Sequence, residues 1–296
     1  MFKKSMSIMA VAITMCLSAL LAVPAAASGY ANSNLIVAAD ALQKELLKQQ
    51  DALVVIDVRP IAEFKSGHIS GARQLDPDAV ADPKSSIDGA LLPISAIAQI
   101  LGSRGISADA NIVLYDDKSG FHAARIFWLL EYHGLRNVRI LDGGLKAWKK
   151  AGFSLKKGSA RPMVESRYTA AVTSRRHASA DWIMQRKDDR ETVVIDVRPK
   201  SAFDKGHIPW ARSIPWKGNL APDGTMKSGD ELRTHFAAHG VTDAHNVVVH
   251  CQNGLASSHS YFALRLIGHP RVRTYHRSWS EWGQADDLPK AVTDDS

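Results

Sequence analysis

The sequence predicts an α/β protein of two tandem domains, each a mainly parallel sheet with helices on both faces. Three observations carry that reading. Val54-Val55-Ile56-Asp57-Val58-Arg59-Pro60 returns 139 residues later as Val193-Val194-Ile195-Asp196-Val197-Arg198-Pro199, and Phe64, Gly67-His68-Ile69 and Ala72 recur at the same offset as Phe203, Gly206-His207-Ile208 and Ala211. Self-similarity at that period marks a duplicated domain, not a short solenoid unit. Within each copy, short Val- and Ile-rich runs alternate with longer stretches of helical period, the pattern of strands joined by crossover helices. A chain of 296 residues accommodates two such units at roughly 100–200 residues per domain.

From the first residue, Lys3 and Lys4 precede an apolar stretch from Ile8 to Val23, followed by Pro24-Ala25-Ala26-Ala27-Ser28. A basic start, an apolar core and an Ala-x-Ala end read as a secretory signal over residues 1–27, cleaved after Ala27 and directing export to a periplasm or beyond the cell. An uncleaved membrane anchor is the alternative, because the stretch nearly spans a bilayer. Domain one is expected over 34–155, with strands at Val54 to Asp57, Ile112 to Tyr115 and Val138 to Leu141, and helices at Pro93 to Leu101, Phe121 to His133 and Leu145 to Lys150. Residues 156–169, opening Lys156-Lys157-Gly158-Ser159-Ala160-Arg161-Pro162, have the Gly, Ser, Pro and charge content of an exposed linker. Domain two, over 170–292, repeats the order: strand Val193 to Asp196, helix Asp230 to Ala238, strand Val247 to His250, helix Ser257 to Ile267 and strand Val272 to Tyr275.

Composition narrows the function. Hydrophobic residues make up 45% and charged residues 23%, the balance of a soluble globular protein. The formal charge of +7 falls to +5 when Lys3 and Lys4 leave with the signal, a balance that steers small anionic substrates toward the protein. The basic residues form neither an arginine-rich block nor a stripe interleaved with aromatics, which argues against nucleic acid. No second apolar segment of about 20 residues follows the signal, so no stable membrane association is expected after cleavage. The twelve histidines show no His-x-x-x-His or Cys/His spacing, and no metal is expected.

With Cys16 removed in the signal, Cys251 is the one cysteine left, a lone thiol without a disulfide partner in an oxidising compartment. It follows the strand Val247 to His250, at the carboxyl end where open α/β sheets place their ligand sites. Gly254 permits a positive φ and Asn253 tolerates one, so the segment can turn tightly, and Ser257 and Ser258 are good N-caps for the next helix. The expected site is therefore Cys251 with Gln252, Asn253, Gly254, Leu255, Ala256 and Ser257 as a binding loop whose amides face the sulfur. A helix N-terminus stabilises negative charge by about 0.3–1 kcal/mol when exposed and up to ~2 when partly buried, which favours a thiolate or an anionic sulfur adduct. A small buried apolar role is the plain alternative for a free cysteine. At the corresponding place domain one has Asp116, which cannot accept a sulfur atom, so that copy is expected to be inactive in this chemistry.

The remaining polar residues read as structural. Asp196 and Arg198 have the form of an ion pair that pins a loop, because Asp57 and Arg59 repeat it beside Asp116. His68 and His207 are duplicated in the same way. His250 neighbours Cys251, but successive strand side chains point to opposite faces, so it is a poor base for that thiol. His259 suits helix packing, and Trp210, Trp216, Trp279 and Trp282 suit the core or the domain interface.

With the repeated Asp-Val-Arg and Gly-His-Ile, the cysteine loop, Leu141-Asp142-Gly143-Gly144-Leu145-Lys146-Ala147-Trp148 and Ser278-Trp279-Ser280-Glu281-Trp282 in order, the chain resembles the tandem-domain rhodaneses, the thiosulfate and 3-mercaptopyruvate sulfurtransferases. The resemblance implies ping-pong sulfur transfer without a metal or organic cofactor: Cys251 takes a sulfur from a small anionic donor as a persulfide, and cyanide or a thiol removes it. It also implies an inactive first copy and an active second one. Many thiosulfate-using members carry a lysine where this chain has Asn253 and an arginine where it has Ala202, while Gly254-Leu255-Ala256 departs from the Gly-Val-Thr of mercaptopyruvate enzymes. Thiosulfate is the favoured donor on the basic balance, with 3-mercaptopyruvate the alternative. A persulfide carrier or partner-docking protein without turnover is a second reading. A cysteine phosphatase is a third, weakened because Ser257 stands where phosphate chemistry needs an arginine.

Overall fold

In this computed structural model the structure describes residues 29–48, 53–160 and 164–293, so the export signal expected at 1–27, with Cys16, lies outside the described residues, as do residues 161–163 of the expected linker. Domain one holds strands β1 (Ile36–Val37), β2 (Leu53–Asp57), β3 (Arg73–Gln74), β4 (Asn111–Tyr115) and β5 (Val138–Leu141), all parallel, in the order β1-β5-β4-β2-β3. Its helices are α1 (Ala39–Leu47), α2 (Ile61–Ser66), α3 (Ile94–Ser103), α4 (Phe121–Tyr132) and α5 (Gly144–Lys150). Domain two repeats the plan with β6 (Thr192–Asp196), β7 (Arg212–Ser213), β8 (Asn246–His250) and β9 (Val272–Thr274) in the order β7-β6-β8-β9, again all parallel. Its helices are α6 (Ala180–Met184), α7 (Lys200–Asp204), α8 (Gly229–Ala238), α9 (Leu255–Leu266) and α10 (Ser278–Trp282). A single parallel bridge from His177 to Thr274 stands where β1 pairs in domain one.

Strand periodicity decides which side chains the two domains share. In β4, Ile112 and Leu114 join a core that runs through both domains, while Val113 and Tyr115 face a separate core on the outer side of the first sheet. In β8, Val247 and Val249 face the shared core and Val248 the outer one. Cys251 continues the inward row, so its side chain points toward the domain interface. The interface is built on α4 and α9, where the Phe127 and Phe262 rings meet edge to face with centroids 4.8 Å apart. Buried Glu131 of α4 accepts hydrogen bonds from Arg265 (2.9 and 3.1 Å) and from the Tyr261 hydroxyl (2.5 Å) of α9. This satisfied charge pair holds the two helices in register, and removal of one partner would strand a buried charge.

A second interdomain contact carries a titrating group. Asp142, at the end of β5, accepts a hydrogen bond from the Met226 amide of domain two at 2.9 Å, and burial, with Asp223 nearby, pushes its carboxyl up to about 6. The folded state therefore binds a proton that the unfolded carboxyl has already lost, and the stability this contributes falls as pH rises through the window from the ordinary value of 3.8 to about 6. Asp142→Asn keeps an acceptor for Met226 and removes the titration. The variant is expected to match the wild type at acid pH and to exceed it at neutral pH by up to about 3 kcal/mol, read from urea unfolding at several pH values.

Candidate active site

Cys251 is 1% exposed, and its sulfur accepts a hydrogen bond from the Gly254 amide at 3.1 Å. Gly254 is the N-cap of α9 with φ 94° and ψ −8°, a left-handed turn that brings this N–H back over the sulfur. The Ser257 hydroxyl stands 3.7 Å from Sγ. Expectation and structure differ at the start of this helix: α9 begins at Leu255, two residues before the expected Ser257, so neither Ser257 nor Ser258 caps it. Instead both serines lie in the first turn, where the Ser258 hydroxyl donates to the Gly254 carbonyl at 2.7 Å. The amide bowl is also narrower around the bare sulfur than expected, because the Leu255 amide turns to Asn253 Oδ1 at 3.5 Å and the Cys251 amide to Ser278 Oγ at 3.0 Å.

The loop is held from below by α10, which the sequence did not reveal as a helix. The Trp279 and Ser280 amides donate to the Cys251 and Gln252 carbonyls at 3.0 and 2.9 Å, and Ser280 Oγ donates to the same Gln252 carbonyl at 2.8 Å. Ser278 adopts a positive φ of 53°, and its hydroxyl, already donating to the Tyr275 carbonyl at 2.7 Å, accepts the Cys251 amide. Asp196 and Arg198 form a buried ion pair at 2.6 Å, from which Arg198 reaches the Gly206 carbonyl, and Asp57 and Arg59 repeat it with Gly67. His68 and His207 donate to the Phe64 and Phe203 carbonyls at 2.9 Å and stack on those rings. His250 is fully buried on the opposite face, kept neutral by burial despite Asp196. Trp210 and Trp282 pack together in the outer core, Trp279 lies under Arg198, and Trp216 meets Phe121 and His259 at the interface. Each of these is a structural contact.

Asp116 occupies the matching place in domain one and is fully buried. Its Oδ1 accepts the Lys118 and Gly120 amides at 2.9 and 2.8 Å, and its Oδ2 accepts the His122 and Ala123 amides at 2.7 and 3.0 Å. Four N–H groups thus converge on one anion at the N-terminus of α4, although this loop is one residue longer than the Cys251 loop. Gly254, Ala256 and Ser257 take the places of Gly120, His122 and Ala123 before and within α9.

Domain one also lies directly on the Cys251 loop, which the sequence did not disclose. Asp88 accepts the Asn253 side-chain amide at 2.9 Å, and Gly89 sits so close to the Asn253 carbonyl that a β-carbon would overlap it. Arg125 of α4 donates through Nη2 to the Gly89 carbonyl at 2.9 Å and packs against Gly254. Its only sequence signal was a charge inside the apolar run Ala123-Ala124-Arg125-Ile126-Phe127-Trp128. Beside this contact, a cleft of about 550 Å³ between the domains is walled by residues including Tyr132, His133, His177 and His276; Cys251 is not part of its wall. Among the described residues no group of three or more His, Cys, Asp or Glu side chains could hold a metal ion, and no helix is long and apolar enough to cross a membrane.

This fold and site define a class: the rhodanese-like domain matches residues 39–151 and 179–285, and the chain belongs to that family as a tandem pair. It is 31% identical to the sulfur carrier protein TtuD of Thermus thermophilus, over 89% of this chain and 98% of the relative. It is 30% identical to the 3-mercaptopyruvate sulfurtransferase of Escherichia coli over 77% of this chain and 84% of the relative, and 29% identical to the thiosulfate sulfurtransferase of Pseudomonas aeruginosa over 81% and 91%. Among solved structures, the E. coli 3-mercaptopyruvate enzyme SseA superposes with a TM-score of 0.76 at 28% identity, over 83% of this chain and 99% of the other. The anaerobic ergothioneine biosynthesis enzyme of Chlorobium limicola shares the fold at a TM-score of 0.81 and 21% identity, over 88% of this chain and 70% of the other. The chain is a member of the sulfurtransferase family.

The Gly254 turn yields a direct test. A β-carbon at Gly254 would overlap Arg125 Nη1 and the His276 carbonyl oxygen, whereas Gly71, at φ 82°, has nothing within 4 Å. Gly71→Ala is expected to cost about 1 kcal/mol of backbone strain, and Gly254→Ala about 1–3 kcal/mol more, with slower alkylation of Cys251, in denaturant melts and thiol titrations.

Proposed function

We propose that the protein moves a sulfane sulfur from thiosulfate through a persulfide on Cys251 to cyanide or a thiol. The Cys251 thiolate attacks the outer sulfur of thiosulfate; the S–S bond of the donor breaks and sulfite leaves with the bonding pair. The enzyme is left with an S–S bond and a negative charge on its outer sulfur. Cyanide then attacks that sulfur, thiocyanate departs and the thiolate returns, so no electron or cofactor enters from outside.

The observation that carries this reading is the Asp116 carboxylate with its four amide donors. Counted from Cα, a carboxylate oxygen of aspartate is as many bonds away as the outer sulfur of a cysteine persulfide. By the same count the amides of Ala256 and Ser257, which the bare sulfur does not engage, together with that of Gly254, which it does, would receive the outer sulfur, and such donors act where charge develops. In this reading Gln252, Asn253 and Leu255 shape the loop, domain one performs no transfer, and the protein works outside the cytoplasm after loss of residues 1–27. Thiosulfate is favoured over 3-mercaptopyruvate by the formal charge of +5 left when Lys3 and Lys4 are removed from +7, although Asp88 beside Asn253 offsets some of that attraction. A carrier that loads sulfur without turnover is the second reading, supported by the similarity to a sulfur carrier over nearly its full length.

Initial rates of thiocyanate formation from cyanide with each donor, with sulfite as the co-product from thiosulfate and pyruvate from 3-mercaptopyruvate, together with intact mass, test both. Turnover with thiosulfate and cyanide is expected, with mercaptopyruvate slower. Loading by one sulfur atom without turnover would favour the carrier, and no loading from any sulfane donor would sink both. Cys251→Ser is expected to abolish transfer, about 10³-fold or more, while Asp116→Asn retains most of it.

A further inference from the structure

We propose that Arg125 of domain one is the counter-ion of the Cys251 sulfur, holding the negative charge of the thiolate and of the persulfide from behind the Gly254 turn. The inference rests on the sulfur-transfer reading and makes the Asp116-bearing domain part of the site. Three observations carry it.

The first is placement. Arg125 is 4% exposed; Nη2 donates to the Gly89 carbonyl, and Nη1 has no hydrogen-bond partner among the described residues. Nη1 lies against Gly254, whose amide is the donor to Cys251 Sγ. One residue separates cation from sulfur.

The second is charge balance. The other buried arginines, Arg59 and Arg198, each meet a carboxylate at 2.5 and 2.6 Å, whereas Arg125 has no ion-pair partner among the described residues. A buried, unpaired cation is strongly disfavoured unless a counter-charge forms nearby. Burial lowers the Arg125 guanidinium to about 10, which still leaves it charged at neutral pH, and the two groups near enough to oppose that lowering are the Cys251 sulfur first and Asp88 second. Asp88 is exposed and bonded to Asn253, so the sulfur is the buried partner. The other polar groups around Cys251 are the Ser257 and Ser278 hydroxyls, while His276 is held neutral by burial and its carbonyl faces Gly254.

The third is the internal repeat. Arg125 and His259 occupy the same place, fifth residue of α4 and of α9, and each leans on the other domain's loop. His259 Nε2 lies 3.2 Å from the Ser119 carbonyl and its ring faces Gly120, with burial lowering it to about 4, so it is neutral. The loop whose anion already has four amide donors is faced by a neutral ring. The loop whose sulfur has the one amide of Gly254 is faced by a cation.

The test is alkylation of Cys251 by iodoacetamide, an uncharged probe that needs no sulfur donor, followed by peptide mass as a function of pH. Arg125→Gln is expected to slow the reaction about tenfold near neutral pH and to converge within about twofold of wild type at alkaline pH, because the charge acts on the thiolate population. Arg125→Lys, which keeps the charge, is expected to stay within about threefold throughout. Superposed Arg125→Gln and wild-type profiles, or a slowing by one factor at every pH, would overturn the proposal in favour of a packing role. If Arg125→Gln does not fold, a folded Arg125→Lys that loses reactivity tenfold overturns it as well. Absence of sulfite release in the donor assays would leave this readout intact, so the two readings fail separately.

Discussion

Both domains depend on one constraint, the close approach of backbone amides to a side chain at the turn between a central strand and the helix that follows it. In domain one that side chain is a carboxylate, and four backbone amides close on Asp116. In domain two the strand end supplies a sulfur instead, and Gly254 must turn left-handed for its amide to reach it. A side chain at Gly254 would collide with Arg125 and the next loop, so the geometry of the turn and the approach of domain one are a single constraint.

That constraint explains why the domains are not independent beads. α4 and α9 both start at such turns, pack on each other through Phe127 and Phe262, and are tied by Glu131 to Arg265 and Tyr261. Because the helices cross at the interface, each delivers its fifth residue to the partner loop. Duplication thereby produced two sites, each roofed by the other domain, and divergence at Asp116, Cys251, Arg125 and His259 could then specialise one without loss of the scaffold.

Much of this was legible in the sequence where residues repeat or alternate. The long apolar strands, the helices α4 and α9 and the position of Cys251 follow from periodicity and from the repeat, and His250 was assigned to the opposite face by the same reasoning. The two-residue strands β1, β3 and β7 and the five-residue helices α6, α7 and α10 carry too few residues for a period to register. The start of α9 was missed because Ser257 and Ser258 are strong caps, yet the left-handed Gly254 ends the loop first and leaves them inside the turn. Arg125, Asp88 and Ser278 touch the site through tertiary contacts between segments far apart in sequence, which no local pattern reports.

The proposed chemistry rests on three parts of this architecture: a buried thiol, an amide turn matching the one around the aspartate of the sister copy, and an arginine supplied across the interface. The most direct measurement is a single turnover with thiosulfate labelled at the outer sulfur, followed by peptide mapping under non-reducing conditions. The account predicts the label on the peptide carrying Cys251, with equivalent release of unlabelled sulfite, and its discharge as labelled thiocyanate on addition of cyanide. Label retained elsewhere in the chain, or sulfite released without label on Cys251, would contradict it.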